Sequence, residues 1–246
     1  MKLLSFLIVG IFFSSCSHTL DFRASHFAVP ITADKQWDGH IALVGSSVTK
    51  ITVVNDMSAN PPVRRDVKIN EDVEIGDFLY FNNLGLDFSL SVLNGLDFYM
   101  DNALLGLRYQ FLNHNSAPQN WVAAVQIAGG SKSDTTTDEA SGSRSSATSD
   151  IKTLQGGVSF GYKLEKFVPY FSYLREAHKV STKVSNNHGS FGDYQDKGKH
   201  QYYSIGLASH GKGFVWALEY SYINIKWERS DREGQSAYAA KLGYAW

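Results

Sequence analysis

From residue 37 to the C-terminus, apolar and polar residues alternate with a period of two, the pattern of β-strands whose two faces meet different surroundings. The pattern is clearest over residues 83–92. One face there carries Leu84, Leu86, Phe88, Leu90 and Val92, and the other carries Asn83, Gly85, Asp87, Ser89 and Ser91. Asn94-Gly95 follows and favours a type I′ hairpin turn, which needs positive φ at both central residues. The pattern predicts an all-β chain.

The alternation recurs along the chain and predicts about ten strands. The predicted strands are residues 38–54, 74–92, 96–101, 103–112, 121–129, 151–163, 168–181, 199–210, 213–228 and 236–246. Residues 96–101 are fewer than the roughly 9 to 11 residues that cross a bilayer at a tilt. Eight strands therefore remain an alternative.

The two faces differ in chemistry as well as in polarity. One is bulky and apolar, whereas the other is small and glycine-rich with isolated charges, namely Asp87, Arg108, Lys163, Glu219 and Lys241. A soluble barrel fills its interior with the bulky face and carries many charges outside. A membrane barrel turns the bulky face to lipid and lines its lumen with the polar face. The sequence favours an antiparallel up-and-down transmembrane β-barrel over residues 37–246, with a soluble lipid-binding barrel of the periplasm as the alternative.

The register of one hairpin follows from the same alternation. A two-residue turn at Gly211-Lys212 pairs Leu207 with Trp216 and places the apolar residues of both strands on one face. A turn of odd length would place them on opposite faces, because side chains alternate along each strand. We therefore predict the two-residue turn there.

The predicted strand ends leave short turns on one side of the barrel and longer connections on the other, as expected for outer-membrane barrels. The longer connections are residues 55–73, 130–150, 182–198 and 229–235. Residues 130–150 are rich in Ser and Thr and almost free of apolar residues, which predicts a mobile loop. An extracellular ligand is expected to bind through loops 55–73, 130–150 and 182–198.

The first residues, MKLLSFLIVGIFFSSC, consist of one Lys, an apolar run and small residues, which predicts a signal peptide over residues 1–15. Phe13-Ser14-Ser15-Cys16 resembles the lipobox of bacterial lipoproteins. The resemblance implies cleavage before Cys16, acylation of Cys16 and, with Ser17 following, sorting to the outer membrane. Ordinary cleavage near Ser15 is the alternative.

Cys16 is the only cysteine in the chain, so no intramolecular disulfide can form. The residues from 16 to 36 show no sustained period, and they are expected to form a periplasmic tether. They would connect an acylated Cys16 to the first strand of the barrel.

Composition and charge exclude two classes of protein. The 23 basic and 24 acidic residues nearly cancel, so the chain lacks the positive charge that binds nucleic acid. A modestly negative mean hydropathy is also incompatible with a bundle of membrane helices, each of which needs about 20 mostly apolar residues. Aromatic residues near strand ends are expected in interfacial girdles; they are Trp37, Phe81, Tyr109, Phe111, Trp121, Tyr162 and Trp227.

Candidate catalytic groups are sparse in the sequence. No two of the eight His residues have metal-ligand spacing on a shared element, so neither a metal nor another cofactor is expected. His188 with Ser190 and Asp193 is a candidate hydrolytic site, and Asp97 with Asp101 is a candidate acid-base pair. His188 is more simply explained as a solvated loop histidine. Asp97 and Asp101 are more simply explained as carboxylates that balance charge inside the barrel. A barrel enzyme acting on lipid or peptide is the least favoured hypothesis.

The last nine residues, YAAKLGYAW, alternate and end in an aromatic residue. They resemble the terminal strand signal of bacterial outer-membrane proteins. The resemblance implies recognition by the barrel-assembly machinery through Tyr244 and Trp246, and an outer-membrane location with the lipids of that membrane as partners. The expected role is structural, surface-binding or that of a narrow pore, without enzymatic activity.

Overall fold

The computed structural model describes residues 17–70, 84–114, 117–140 and 143–246. Within them no helix is long and apolar enough to cross a membrane. The regular elements of these ranges are β-strands. They are β1 (His18–Arg23), β2 (Gly39–Ser46), β3 (Val48–Val54), β4 (Lys68–Asn70), β5 (Leu84–Leu93), β6 (Leu96–Asp101), β7 (Leu104–Leu112), β8 (Asn120–Ala140), β9 (Ser143–Lys163), β10 (Phe167–Asn186), β11 (Gly189–Ser209), β12 (Gly213–Trp227) and β13 (Glu233–Ala245).

Ten antiparallel strands close a barrel in the order β2, β5 and then β6 to β13, with β13 pairing back to β2. The predicted ten-stranded up-and-down barrel is confirmed. The eight-stranded alternative is wrong, because short β6 pairs with both β5 and β7. We call the end with connections 94–95, 113–119, 164–166 and 210–212 the turn end, and the opposite end the extended end.

The bulky apolar side chains point out of the barrel. On β5, Leu84 and Leu86 are 43% and 47% exposed, whereas Asp87, Ser89 and Ser91 are buried. The same division holds on the other barrel strands, where Ile205, Leu218 and Leu242 are each more than half exposed. The soluble lipid-binding barrel is therefore wrong, since it needs the apolar face inside.

The exposed apolar side chains form a belt around the barrel. On β12 the belt runs from Phe214 to Tyr222, about 26 Å along the strand at about 3.3 Å per residue. Its border toward the extended end carries Tyr173, Tyr203 and Tyr222, which are partners across adjacent strands. Near the turn end, the rings of Trp121 and Tyr162 have their centroids 5.2 Å apart.

Trp227 does not join this belt, contrary to the sequence-based expectation. It shares the inward parity of Ile223 and Ile225 and is buried. Its ring stacks on that of His178 with an interplanar angle of 3°. Phe81, also expected in a girdle, lies outside the described residues.

The wall is unequal in height, because β8 to β11 each contain 20 or 21 residues. That is about twice the length needed to cross a bilayer, so these strands continue beyond the belt as an extended wall. The predicted outer loops 130–150 and 182–198 are mostly strand and are corrected here. Residues of low apolar content form strands there because each pairs with a neighbouring strand, as Thr135 does with Thr148.

A three-stranded sheet, β1-β3-β4, lies inside the extended wall. Its Leu20 and Ile51 pack in one buried cluster with Tyr202, Ile223 and Trp227 of the wall. The single strand predicted for residues 38–54 is two strands in the structure. The chain leaves the wall at Ser47, whose N–H donates to Tyr238 O (3.0 Å) and whose carbonyl accepts from Ala24 N (3.1 Å).

The predicted faces of the β11–β12 hairpin are confirmed, but its register is shifted by two residues. Leu207 pairs with Leu218 rather than with Trp216. The connection is longer than two residues: Gly211 and Gly213 both have positive φ, and Ser209 Oγ accepts from Trp216 N at 2.7 Å. A shift of two keeps every side chain on its face.

The inner face of β11 supplies the first test. A Cβ at Gly206 would lie 2.4 Å from the ring of Tyr170, whereas Gly192 on the same strand has room for one. We expect Gly206→Val to lower the free energy of unfolding by about 1 to 3 kcal/mol, as overpacking does, and Gly192→Val to change it little. Urea unfolding followed by tryptophan fluorescence measures both. Equal stabilities would contradict the inward placement of Tyr170.

Candidate functional site: the occupied lumen

The segment of residues 17–38, here called the lumen segment, runs through the barrel from one end to the other. At the extended end, His18 lies 2.8 Å from Thr136 Oγ1 and 2.8 Å from Ser149 Oγ, and burial lowers its pKa. At the turn end, Trp37 N donates to Ser91 O (2.9 Å) and Trp37 O accepts from Trp246 Nε1 (3.1 Å).

This arrangement corrects the expected tether over residues 16–36. Leu20, Phe22, Ala24 and Phe27 are each at most 5% exposed, so these residues are packed in the barrel rather than free. The missing period in the sequence has a structural reason: only β1 of this segment is a strand, and residues 24–32 are an irregular stretch that is mostly buried inside the wall, whereas residues 34–37 are exposed.

Two carboxylates of the wall hold the middle of the lumen segment. Asp101 of β6 pairs with the Arg23 guanidinium, and its Oδ2 lies 2.8 Å from His26 Nδ1. On the opposite side, Glu176 Oε1 of β10 lies 3.2 Å from His26 Nε2. Only a protonated imidazole can donate from both nitrogens. As an imidazolium, His26 would bridge two carboxylates on opposite parts of the wall.

Glu176 is the most connected of these groups. Gln155 Nε2 donates to its Oε1 (3.1 Å) and the Tyr202 hydroxyl donates to its Oε2 (2.7 Å). His178 Nε2 lies 3.3 Å from the same Oε2. All four side chains are buried, and a buried charge is stable only when its hydrogen bonds are made. Glu176 is therefore a fixed anchor for the segment.

Among the described residues, Glu176, His178 and His200 have ligand-capable atoms within 4.8 Å of one another. No such cluster was expected from the spacing of the His residues. However, Trp227 Nε1 donates to His200 Nε2 at 3.3 Å. An indole N–H only donates, so a neutral His200 carries its own proton on Nδ1, the atom that faces the other two groups. A metal ion would have to displace that proton, and we assign the cluster to the hydrogen-bonded core.

The five charges singled out in the sequence all lie inside the barrel. Asp87 and Lys241 pair at 3.5 Å, with His40 bound to the same carboxylate oxygen. Arg108 Nε donates to Gln126 Oε1 at 3.2 Å. Glu219 accepts from the Tyr170 hydroxyl at 2.6 Å and from Ser25 of the lumen segment, and Lys163 lies 3.9 Å from Asp34.

The two groups considered for catalysis are placed apart from one another. Asp97 and Asp101 share the inner face of β6 and contact different parts of the lumen segment, since Asp97 Oδ2 accepts from Ala33 N at 3.3 Å. His188 is exposed at the tip of the β10–β11 hairpin, and Asp193 pairs with Lys183 at 3.9 Å. In neither set does the described structure show a hydrogen bond that joins the candidate catalytic groups to one another.

The lumen segment leaves little free space inside the barrel. A cavity of about 130 Å³ near the turn end is lined by residues that include Ile31, Asp97 and Lys241. A cavity of about 60 Å³ lies beside Phe22, Arg23 and His178. Spaces of this size hold a few water molecules. They do not form a wide passage.

The proposed lipidation and assembly signals occupy the two chain ends. Cys16 and residues 1–15 lie outside the described residues. Tyr244 is 60% exposed on the outer face of β13. Trp246 closes the turn end through its bond to Trp37 O.

The residues that sequence reasoning missed are Arg23, His26, Glu176, His178 and His200. A signal existed in the inward parity of Glu176 and His178, two residues apart on β10. It was obscured because Tyr170, Phe171 and Tyr173 fall on both parities. The pairing of Glu176 with His200 depends on the length of the β10–β11 hairpin, which the sequence did not predict.

Comparisons with known proteins found low similarity. No protein-family profile and no curated protein matches the chain. Ail of Yersinia pestis in complex with sucrose octasulfate is 14% identical and covers 86% of this chain and 100% of its own, with a TM-score of 0.38. The outer-membrane channel DcaP of Acinetobacter baumannii is 8% identical and covers 94% and 97%, with a TM-score of 0.22.

The anchor of the lumen segment can be tested at Asp101. Asp101→Ala leaves Arg23 and His26 without this carboxylate, and breaking a buried pair in this way costs about 3 to 5 kcal/mol. We expect the lumen segment to loosen and trypsin to cleave after Arg23 in the folded protein. The control Asp193→Ala removes an exposed carboxylate and should leave the segment protected. Mass spectrometry of the fragments decides, and full protection in Asp101→Ala would contradict the proposed anchor.

Proposed function

We propose that this chain is an outer-membrane β-barrel protein whose lumen is closed by its own N-terminal segment and whose extended wall presents a binding surface outside the cell. The observation that carries the proposal is the orientation of the wall: the apolar belt faces outward while the charges are paired inside. Lipid is the surrounding that makes such a belt favourable. This supports the outer membrane as the location and its lipids as partners.

The two ends of the barrel support one orientation. Short turns face the periplasm in barrels of this class, and longer structures face outside. The turn end, with the Asn94-Gly95 hairpin, would then lie in the periplasm. The extended wall of β8 to β11 would project from the cell and carry the tip of the β10–β11 hairpin at residues 187–188.

Of the three roles considered, surface binding is supported best. A narrow pore is disfavoured because the lumen segment occupies the interior. A purely structural role leaves the length of the extended wall unexplained. The candidate binding regions are loop 55–73 and the wall residues of 130–150 and 182–198, acting as strands rather than as loops. Among the described residues His188 is exposed and Asp193 pairs with Lys183 instead of with His188, so the proposed role is non-enzymatic.

The lipid anchor at Cys16 and recognition of Tyr244 and Trp246 by the barrel-assembly machinery remain part of the proposal. The structure adds one constraint to the anchor. His18, two residues after Cys16 in the chain, is held at the extended end of the barrel. An acyl group on Cys16 would thus be attached near that end rather than at the end of a periplasmic tether.

The membrane setting of the belt is tested at Leu218, which is 55% exposed and lies midway between Phe214 and Tyr222. In lipid, Leu218→Arg should cost about 2 to 4 kcal/mol, whereas in water the same change at an exposed site is nearly neutral. The control is Ser185→Arg, at an exposed position of the extended wall. Unfolding in vesicles, followed by heat-modifiable gel mobility, measures both. Equal stability of the two variants would contradict a lipid-facing belt.

The closed lumen predicts little conductance. The full chain in planar bilayers should conduct few ions, and deletion of residues 18–36 should raise the conductance per inserted barrel because the polar lumen then fills with water. Heat-modifiable mobility confirms that the deletion variant still forms a barrel. Stable large conductance of the full chain would favour the pore role instead.

A further inference from the structure

Basic side chains cluster on the outer face of β9 to β12, just beyond the apolar belt. Lys152, Lys179 and Lys197 are partners across three adjacent strands, and Lys199 pairs with Lys226 in the next row. In the row below, Arg175 pairs with Gln201, to which Arg232 Nη2 donates at 3.4 Å. We call these residues the basic patch: Lys152, Arg175, Lys179, Lys197, Lys199, Lys226 and Arg232, all exposed.

The basic patch is not a result of overall composition. The whole chain has a net charge of -1, so this concentration of positive charge is local. Like charges directly opposite each other on adjacent strands destabilise a sheet. Lys197 has an anionic partner in Glu228 at 3.2 Å. Asp150, two residues from Lys152, and Asp231, which precedes Arg232 in the chain, are further exposed carboxylates near these rows. Three acids against seven basic residues still leave a positive excess.

The distance between the basic patch and the belt is measured along the strands from the tyrosines at the border of the belt. Lys199 and Lys226 each lie four residues beyond Tyr203 and Tyr222, about 13 Å along the strand. With a strand tilt of about 40°, this is about 10 Å above the border. The polar headgroup layer of a bilayer lies directly beyond its hydrocarbon core. That layer is about 5 to 8 Å thick on each side. Arg175, two residues beyond Tyr173, lies about 5 Å above the border and therefore within it, whereas Lys199 and Lys226 lie at its outer edge. The row of Lys152, Lys179 and Lys197 lies about 5 Å farther out.

We propose that the basic patch binds phosphate groups of glycolipids in the outer leaflet, with the acyl chains of the same molecules lying against the apolar belt below. This inference rests on the proposed function, because it needs the belt to be in the membrane. The patch is continuous with the belt, and a phosphorylated glycolipid contacts both surfaces at once. A soluble polyanion has no group that would use the belt.

The test uses the full chain in phosphatidylcholine vesicles that contain either bis-phosphorylated lipid A or lipid A with both phosphates removed. Heat-modifiable gel mobility gives the temperature at which the barrel unfolds. We expect the phosphorylated lipid to raise this temperature and the dephosphorylated lipid to have a smaller effect. High salt should reduce the difference, since it screens exposed charges.

The variant combines Lys179→Gln, Lys199→Gln and Lys226→Gln. The lipid A concentration for half-maximal stabilisation should rise at least about tenfold, because basic residues near an anionic surface contribute individually. The matched control removes three exposed lysines elsewhere, at Lys35, Lys68 and Lys166, and should behave like the unchanged protein. Both variants keep the belt and the lumen contacts, so both should fold.

Each outcome decides one point. Equal stabilisation by the two forms of lipid A, or an unchanged half-maximal concentration in the patch variant, would overturn the phosphate site. Equal protection by inorganic phosphate or a soluble sulfated oligosaccharide in vesicles without lipid A would assign the patch to a soluble polyanion instead. Release of the chain from vesicles by alkaline extraction, measured first, would mean that the proposed function itself has failed.

Discussion

A barrel wall that turns its bulky side chains outward cannot build an apolar core from its own inner face. That face consists of small, polar and charged residues, and ten strands enclose more space than those residues fill. The lumen segment fills the space that the wall leaves. It contributes Phe22 and Phe27 as filling, and it contributes Arg23 and His26 as partners for Asp101 and Glu176. The lumen is closed because a wall with its bulky side chains outside leaves an interior space, and the lumen segment fills that space.

The same segment supports the part of the wall beyond the belt. The strands beyond the belt have apolar side chains on their inner side, and these side chains need another surface to pack against. β1 and β3 provide it, since Leu20 and Ile51 join Tyr202 and Trp227 in one buried cluster. The extended wall therefore has a core of its own, and its outer face is presented on packed strands instead of free loops.

The period of two also places residues of different roles next to each other on one strand. On β11, His200 points inward to the hydrogen-bonded core around Glu176, while its neighbour Lys199 points outward in the basic patch. Position along the strand then sets the surroundings of each outward residue. Tyr203 borders the belt and Lys199 lies beyond it. One strand thus contributes to the core of the lumen, to the apolar belt and to the proposed phosphate site on successive lengths of chain.

The predictions from sequence succeeded where they depended on parity and failed where they depended on lengths or partners. The faces of the β11–β12 hairpin were correct although its register was two residues off, because an even shift leaves parity unchanged. Residues 130–150 were expected to be a loop since their composition lacks apolar residues. Pairing of β8 with β9 and packing on an inner sheet made them strand. Residues 16–36 were expected to be a tether because they show no sustained period, but an irregular segment that is buried inside a barrel needs none.

The sequence by itself determined which residues face outward and which face inward, and hence the class of barrel, because alternation along a strand is a local property of the chain. Only the tertiary structure decided what fills the lumen and which charges meet. Asp101 binds Arg23 across 78 positions of the chain, and Ser25 reaches Glu219 across 194. Such partners are chosen by the closure of the wall around the segment, and no local pattern in the sequence encodes that closure.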